Sequence, residues 1–484
     1  MIQDKRNTDL LNWEIVSVNP NDKNWKWGDL FFFWAVSLQS IIGFSLIASL
    51  YLVYDLNFYV VLLGGIFACI LTFIFSTLIG KPSQKHGLPF VVILRSSLGI
   101  LGAKYFGLLR GIVGIFMFGV QTFFISKAIG YLIRIFLFSQ QGNILDNNIF
   151  TIFFMGLDLI DIVSFLLTLL VQFFLFSKGQ AVIKSIIKFS GIFIYFGLTI
   201  CLIMISENFN DVLKSASLTL NFENFLSKNN VAPLITVTGT LFAFFSILIV
   251  NFGDYSRYVQ SNDNLIKGNL SLIINFILLS IFAIFIVLGA DIILAKNNVE
   301  IERLLTNPND IIGKINNTFL TIVILIFILV ASVSTNLIAN YIPSQNTIIN
   351  FLPKTLNLKS SGIIIIIFSF IVGILWLPIF SKIGILSIID TLGSFFGPIF
   401  GVIIADYFLI KDKKIENKDI YSTSIEGSYF YSRGWHIGGL YAIIIGFIFS
   451  SSTIWNINLN FLQSFSWIIG AVISFIIYYL LKSK

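Results

Sequence analysis

Ser334, Thr335, Asn336 and Asn340 put two hydroxyls and two carboxamides into a stretch otherwise built from Ile, Leu, Val and Phe. The apolar run that leads to them begins near Phe319, which places them at membrane depth. Hydrocarbon makes unpaired polar groups costly, so such a cluster lines a pathway or a site rather than facing lipid. Ala331, Ser334 and Thr335 stand at i, i+3 and i+4 and share one helical face, while Asn336 and Asn340 share another. The first face offers hard oxygens suited to a small cation. The second offers paired donors and acceptors suited to a polar, planar molecule. This division of labour predicts a coupled transporter.

Other polar residues fall at similar depth. Ser37, Gln39, Ser40 and Gly43 cluster in the first apolar segment. That is the composition of a helix broken at mid-membrane, whose freed carbonyls bind a cation where they line a cavity. The alternative is that the serines bond back to their own helix and Gln39 joins two helices. Gln121 reads either as a ligand or as an interhelical hydrogen bond. Lys127, six residues further along, either acts at the site or reaches to the membrane surface on its long stem. Asp254 and Arg257 stand at i, i+3 near a span end, where they form either a gate-closing ion pair or a solvated helix terminus.

These residues need elements to hold them, and the composition says which kind. The chain has 484 residues, of which 56% are hydrophobic and only 11% charged, with a mean hydropathy of +0.90. A soluble domain averages about 25% charged residues. Many runs reach the roughly 20 apolar residues that cross a bilayer. The fold class is therefore an all-α polytopic membrane protein. Twelve spans are predicted, near 29–51, 57–80, 107–136, 160–177, 181–205, 231–252, 267–294, 315–341, 361–378, 384–410, 436–451 and 461–481. Loops after even-numbered spans carry the bases, among them Lys81, Lys85, Arg95, Lys104, Lys411, Lys413 and Lys414, whereas 52–58 and 137–148 carry none. Both termini are therefore expected in the cytoplasm. Short tails suit a bacterial inner membrane, and loop 295–314 is expected to carry a short external helix as a lid.

Several function classes are excluded. Cys69 and Cys201 lie in apolar runs and suggest neither a disulfide nor a metal site. The net charge of +7 reads as loop charge beside anionic lipid, not a nucleic-acid footprint. Residues 1–28 are polar and hold no signal-peptide core. A membrane enzyme would need His, Asp, Glu or Cys converging at depth. A channel would need a polar stripe along several spans, whereas these polar residues cluster near one level.

Further motifs run in order along the chain: Lys81-Pro82 with His86-Gly87-Leu88-Pro89-Phe90, Arg95 to Gly99, Arg110 to Thr122, and Asn251-Phe252-Gly253-Asp254-Tyr255-Ser256-Arg257-Tyr258. Ser334 to Asn340, Phe351 to Lys354, Gly397-Pro398 through Tyr407, Gly427 to Tyr431 and Gly434-Trp435 follow. With these elements, from about Trp27 to about Trp435, the chain resembles the nucleobase–cation symporter family of cytosine, uracil, allantoin and hydantoin permeases. The resemblance implies a leucine-transporter-like fold. After a tail at 1–28, two inverted five-helix repeats would occupy 29–205 and 206–410, and 411–484 would add two C-terminal helices. The first and sixth spans would be broken at mid-membrane, with substrate held between them and the third and eighth.

Carried over residue by residue, the resemblance implies a sodium site of the backbone oxygens of Ala35, Leu38 and Ala331 with the hydroxyls of Ser334 and Thr335. It implies a substrate site in which Gln39, Gln121 and Asn340 bond the edge of a ring. Met117 and Phe245 occupy positions where the hydantoin member of the family has tryptophans. Phe245 can still stack, and Met117 can pack on a ring through its sulfur. These departures argue against copying hydantoin as the substrate, and Phe244, where a small residue is common, leaves the break in the sixth span open. The function implied is secondary active import of a nucleobase or related nitrogen heterocycle by sodium symport through alternating access. The alternative is a proton-coupled relative carrying a vitamin-like heterocycle, with a membrane enzyme or channel as the remote one. The expected partners are the heterocycle and the lipid bilayer, with no nucleic acid, for a protein acting as a monomer.

Overall fold

The chain folds almost entirely as helix because its apolar runs have only one way to satisfy their backbone in hydrocarbon. The computed structural model describes residues 9–39, 41–54, 56–140, 152–205, 209–219, 228–296, 306, 311, 317–382 and 385–482. Ser40 and most of the 295–314 lid segment lie outside the described residues. Thr306 from that segment is described. It rests on the first span, accepting from Ser45 Oγ (3.3 Å) and Ser49 Oγ (3.2 Å).

Against the twelve spans predicted, the described residues hold ten helices of spanning length, or eleven with one bent pair counted as a span. The bent pair is Trp27–Leu38 and Ile42–Leu52, which meet at 65°, and Leu358–Ile374 is a shorter apolar helix. In chain order the elements are α1 (Trp27–Leu38), α2 (Ile41–Leu52), α3 (Phe58–His86), α4 (Phe90–Gln140), α5 (Leu159–Phe176), α6 (Gln180–Ile205), α7 (Phe209–Thr219), α8 (Val231–Val250), α9 (Gly253–Ser256) and α10 (Asn262–Lys296). Then come α11 (Thr318–Asn336), a π-turn at Leu337–Tyr341, α12 (Ile342–Phe351), α13 (Leu358–Ile374), α14 (Ile385–Ala405), α15 (Ile437–Trp455) and α16 (Ser466–Lys482). Asparagine and aspartate side chains cap several N-termini: Asn57 accepts from Tyr59 N, Asp158 from Asp161 N, and Asn317 from Leu320 N.

Three boundaries differ from the sequence reading, each for a physical reason. The third span was expected to begin at 107, but α4 starts at Phe90 and is interrupted only at Gly99, where φ is +80°. Arg95 looked like a loop charge. It is instead buried, donating to Asn350 Oδ1 (2.6 Å) and Ile420 O (3.1 Å). At Gly99 the loop before α15 supplies the missing partners: Leu101 N donates to Gly434 O (2.8 Å) and His436 N to Leu98 O (2.9 Å). A Cβ on Gly99 would lie 2.5 Å from Gly434 O, so only glycine fits.

The eighth span was expected to end at 341. It continues through the π-turn into α12, as far as Phe351. The sixth span was expected to break at mid-membrane. Instead α8 runs unbroken past Phe244 and Phe245, and the helix opens only at Asn251–Phe252. There Arg110 Nε donates to Asn251 Oδ1 (3.0 Å), and Gly253 lies so close to α3 that a Cβ would meet Ser83 Oγ at 2.4 Å. The first span breaks where the sequence predicted, at Gln39, whose N–H still reaches Ala35 O (3.1 Å).

Packing sorts the spans into two groups. In one, α3 lies along α8 and α10, and α10 along α1. In the other, α4 packs on α5, α11, α12 and α13. Helix α6 touches α1 and α11, and α14 touches α8 and α4, so each crosses the seam between the groups. The C-terminal pair α15 and α16 packs against α14.

Candidate functional site

The polar residues of α11 divide as their spacing predicts. On the face toward α1, Thr335 Oγ1 lies 2.6 Å from Val36 O and 3.0 Å from Ala331 O. Ser334 Oγ lies 2.8 Å from both Val330 O and Ala331 O. The eighth span therefore meets the first within one turn of its break. All the groups gathered here are neutral oxygens, the donor type a hard monovalent cation takes. Ala35 and Leu38 flank the contact on the α1 side, although the α1 carbonyl that Thr335 reaches is that of Val36.

The other face looks toward α4 and α5. Asn340, inside the π-turn, donates through Nδ2 to Gln121 Oε1 (3.0 Å) and to Asn336 Oδ1 (2.9 Å). Gln121 Nε2 in turn points at Ser332 O (3.4 Å). Asn336 Nδ2 donates to Thr122 Oγ1 (3.0 Å), Gln172 Oε1 (2.9 Å) and Phe118 O (3.3 Å). Gln172 Nε2 returns to Thr122 Oγ1 (3.1 Å) and Thr168 O (3.3 Å). The third, fourth and eighth spans are thus joined by one buried amide network.

The structure brings Gln121 and Asn340 into direct contact. Met117 lies one turn before Gln121 on α4, and Phe245 is buried on α8 against Phe244. Among the described residues, no hydrogen bond or ring contact joins Gln39, Met117 or Phe245 to the Gln121–Asn340 pair. Both amide atoms of Gln39 are buried, with the Tyr195 hydroxyl beside them. That hydroxyl donates to Asn275 Oδ1.

The sequence reading missed Gln172. Its signal was a lone glutamine in the apolar α5, but nothing local says which helix it faces. The π-turn itself was no part of the sequence reading. A π-turn shifts the carbonyl ladder and frees acceptors. Here Ile338 O takes the Tyr255 hydroxyl (2.6 Å) and Ala339 O takes Arg110 Nη2 (2.8 Å).

Two charged features resolve toward structural roles. Lys127 pairs with Asp161 Oδ2 (2.7 Å), beside the Arg134–Asp158 pair (2.6 Å), tying α4 to the start of α5. Asp254 and Arg257 do not close an ion pair. Asp254 Oδ1 accepts from Phe90 N (3.1 Å), and Arg257 donates to Glu14 O (3.2 Å) and the Tyr258 hydroxyl. Both belong to a buried layer on the face that carries Ile15 and Lys482, since Ile15 O meets the Tyr421 hydroxyl (3.5 Å) and Lys482 reaches the Tyr431 ring (5.8 Å).

Known proteins are similar to this chain over nearly its whole length. The family described as permeases for cytosine/purines, uracil, thiamine and allantoin matches residues 17–481. The chain is 25% identical to an allantoin permease of Bacillus subtilis, covering 98% of this chain and 93% of that one. It is also 25% identical to a purine-uracil permease of Arabidopsis thaliana, over 91% of this chain and 70% of the other. Among solved structures, it is similar to a nucleobase-cation-symport-1 family transporter in a closed conformation with bromovinylhydantoin bound. That similarity has a TM-score of 0.72 at 19% identity, over 97% of this chain and 95% of that one. A sodium-coupled sialic acid symporter shares the fold more distantly, with a TM-score of 0.64. The chain belongs to the family of permeases for cytosine/purines, uracil, thiamine and allantoin, and is a multi-pass membrane transporter, not an enzyme.

Proposed function

We propose that this protein imports a nucleobase or a related nitrogen heterocycle, of the uracil, purine, allantoin or hydantoin type, by symport with sodium through alternating access. The observation that carries the proposal is the contact of Thr335 with Val36, one turn from the Asn340–Gln121 pair on the same helix. It couples a cluster of hard oxygens to a pair of ring-edge ligands through one rigid element. Sodium would be held by the carbonyls of Ala35, Leu38 and Ala331 with the hydroxyls of Ser334 and Thr335, which now donate to neighbouring carbonyls and would turn their oxygens to the ion. Gln39, Gln121 and Asn340 would bond the substrate edge, with Phe245 and Met117 against its faces.

Sodium binding ties α11 to α1 and so pre-organises Gln39 and Asn340. By reciprocity the substrate tightens sodium by the same factor, typically about 5–150-fold. Residues 29–205 and 206–410 form the two five-span repeats in this reading, and the seam between the two packed groups is where the halves rock. Both termini lie in the cytoplasm of a bacterial inner membrane, and the transporter acts as a monomer.

The test is uptake by proteoliposomes of radiolabelled nucleobases, allantoin and hydantoins, with and without an inward sodium gradient. Accumulation of one compound only with sodium supports the reading. Accumulation driven by a proton gradient instead keeps the transport reading and removes the sodium site. The side chains assigned here carry no titratable group, which favours sodium.

A further inference from the structure

The amide network around Asn340 has a direction. A backbone carbonyl can only accept a hydrogen bond, so each amide that touches one must turn its nitrogen toward it. Three carbonyls anchor the network in this way: Thr168 O orients Gln172, Phe118 O orients Asn336, and Ser332 O orients Gln121. With Gln172 so oriented, its Oε1 accepts from Asn336 Nδ2; with Asn336 so oriented, its Oδ1 faces Asn340. Gln121 likewise turns its Oε1 to Asn340. Asn340 therefore meets two acceptors and spends both Nδ2 hydrogens on them. Among the described residues, no donor reaches its Oδ1.

We infer that Asn336, locked by Thr122 and Gln172 of the neighbouring spans, is a positioning residue that fixes the polarity of the substrate site. Asn340 is compelled to offer an oxygen acceptor, while Gln121 keeps one Nε2 hydrogen beyond the bond to Ser332. The edge presented is an acceptor beside a donor. Its complement is a ring N–H next to a ring C=O, the edge of a cyclic amide or ureide. A ring whose nitrogens only accept would face the Asn340 oxygen with a lone pair and leave it unsatisfied. This inference rests on the proposal that Asn340 and Gln121 contact the substrate. It adds which chemistry they select and which buried residues enforce the choice. Asn336, Gln172 and Thr122 are fully buried and need not touch the substrate.

The test is titration calorimetry on the purified full-length protein in sodium-containing buffer. The probes are uracil and hydantoin, which carry the N–H/C=O edge, and 2,4-dimethoxypyrimidine, whose ring nitrogens only accept. The wild type should prefer a ureide probe over the dimethoxy compound by about tenfold or more. Asn336→Leu removes one acceptor and frees the Asn340 amide to turn. It should cut that preference to about threefold or less, because the ureide loses affinity and the dimethoxy probe does not. Gln172→Leu removes one of the three acceptors that hold Asn336, and should lower the preference partway. It also decides the matter if the Asn336 variant fails to fold. Affinities that fall together in the variants, with the preference intact, would overturn the inference and leave the transport reading standing. A wild type that binds none of the three probes would overturn the substrate reading and this inference with it.

Discussion

At the scale of single residues, the proposed function gives the two faces of the eighth span separable tasks, which two substitutions test. Removing a partner from a buried hydrogen-bonded pair costs about 1–3 kcal/mol, because the remaining group stays unsatisfied. Asn340→Ala leaves Gln121 Oε1 and Asn336 Oδ1 without their donor. It is expected to raise the substrate KM roughly 5–150-fold while changing sodium half-saturation less, as measured by proteoliposome uptake. Thr335→Ala removes the hydroxyl shared by Val36 O and Ala331 O. It should shift sodium half-saturation more than the relative uptake of different heterocycles. Equal effects of both variants on both quantities would refute the separation. Both faces were legible in the sequence, because i, i+3 and i+4 spacing is a local property. Gln172 was not, because its partner Asn336 lies 164 positions away.

At the scale of elements, the π-turn at Leu337–Tyr341 carries Asn340, and two side chains from other helices hold its freed carbonyls. Tyr255→Phe deletes the bond to Ile338 O without touching the proposed ligands. It should raise the substrate KM several-fold, the effect of losing about 1 kcal/mol, with expression unchanged. A KM equal to that of the wild type would mean that Arg110 alone holds the turn. The C-terminal spans depend on close approach instead. A Cβ at Gly397 would lie 2.0 Å from Trp467 O, backbone against side chain with nothing flexible to yield. Gly397→Ala should destabilise the protein by about 1–3 kcal/mol, lowering its melting temperature in detergent. The Gly397-Pro398 step was visible in the sequence, but its packing partner α16 was not.

At the scale of the whole molecule, the segment from Asp9 to Lys26 lies across the face that carries Arg257 and Gly87. Arg257 donates to Glu14 O, Asn12 Nδ2 to Pro353 O (2.8 Å) and Leu356 O (2.9 Å), and Val18 N to Gly87 O (2.9 Å). Ile15 is fully buried there. The segment thus bridges the two packed groups of helices, which would part on one side or the other under the proposed alternating access. Deleting residues 1–18 should favour opening on this face. A cysteine introduced as Ser83→Cys, at a buried position beside Gly253, should then react faster with a maleimide. Unchanged labelling would show that the buried Arg95, Arg110 and Arg257 layer closes the face unaided.

Local physics determined much of this protein from the sequence alone. Long apolar runs with few charges require a polytopic helical bundle, and a Ser-Gln-Ser-Gly cluster marks the break at Gln39. Polar residues at helical spacing divide α11 into an oxygen face and an amide face. Tertiary structure decided the rest. Arg95 sits within a helix rather than a loop because Asn350 and Ile420 satisfy it. The sixth span opens at Asn251 rather than at mid-membrane because Arg110 waits there. The eighth span takes a π-turn because Tyr255 and Arg110 accept the cost of its freed carbonyls. Hydropathy and periodicity depend on neighbours along the chain. The place where a helix can afford to break depends on which distant donor arrives to satisfy it.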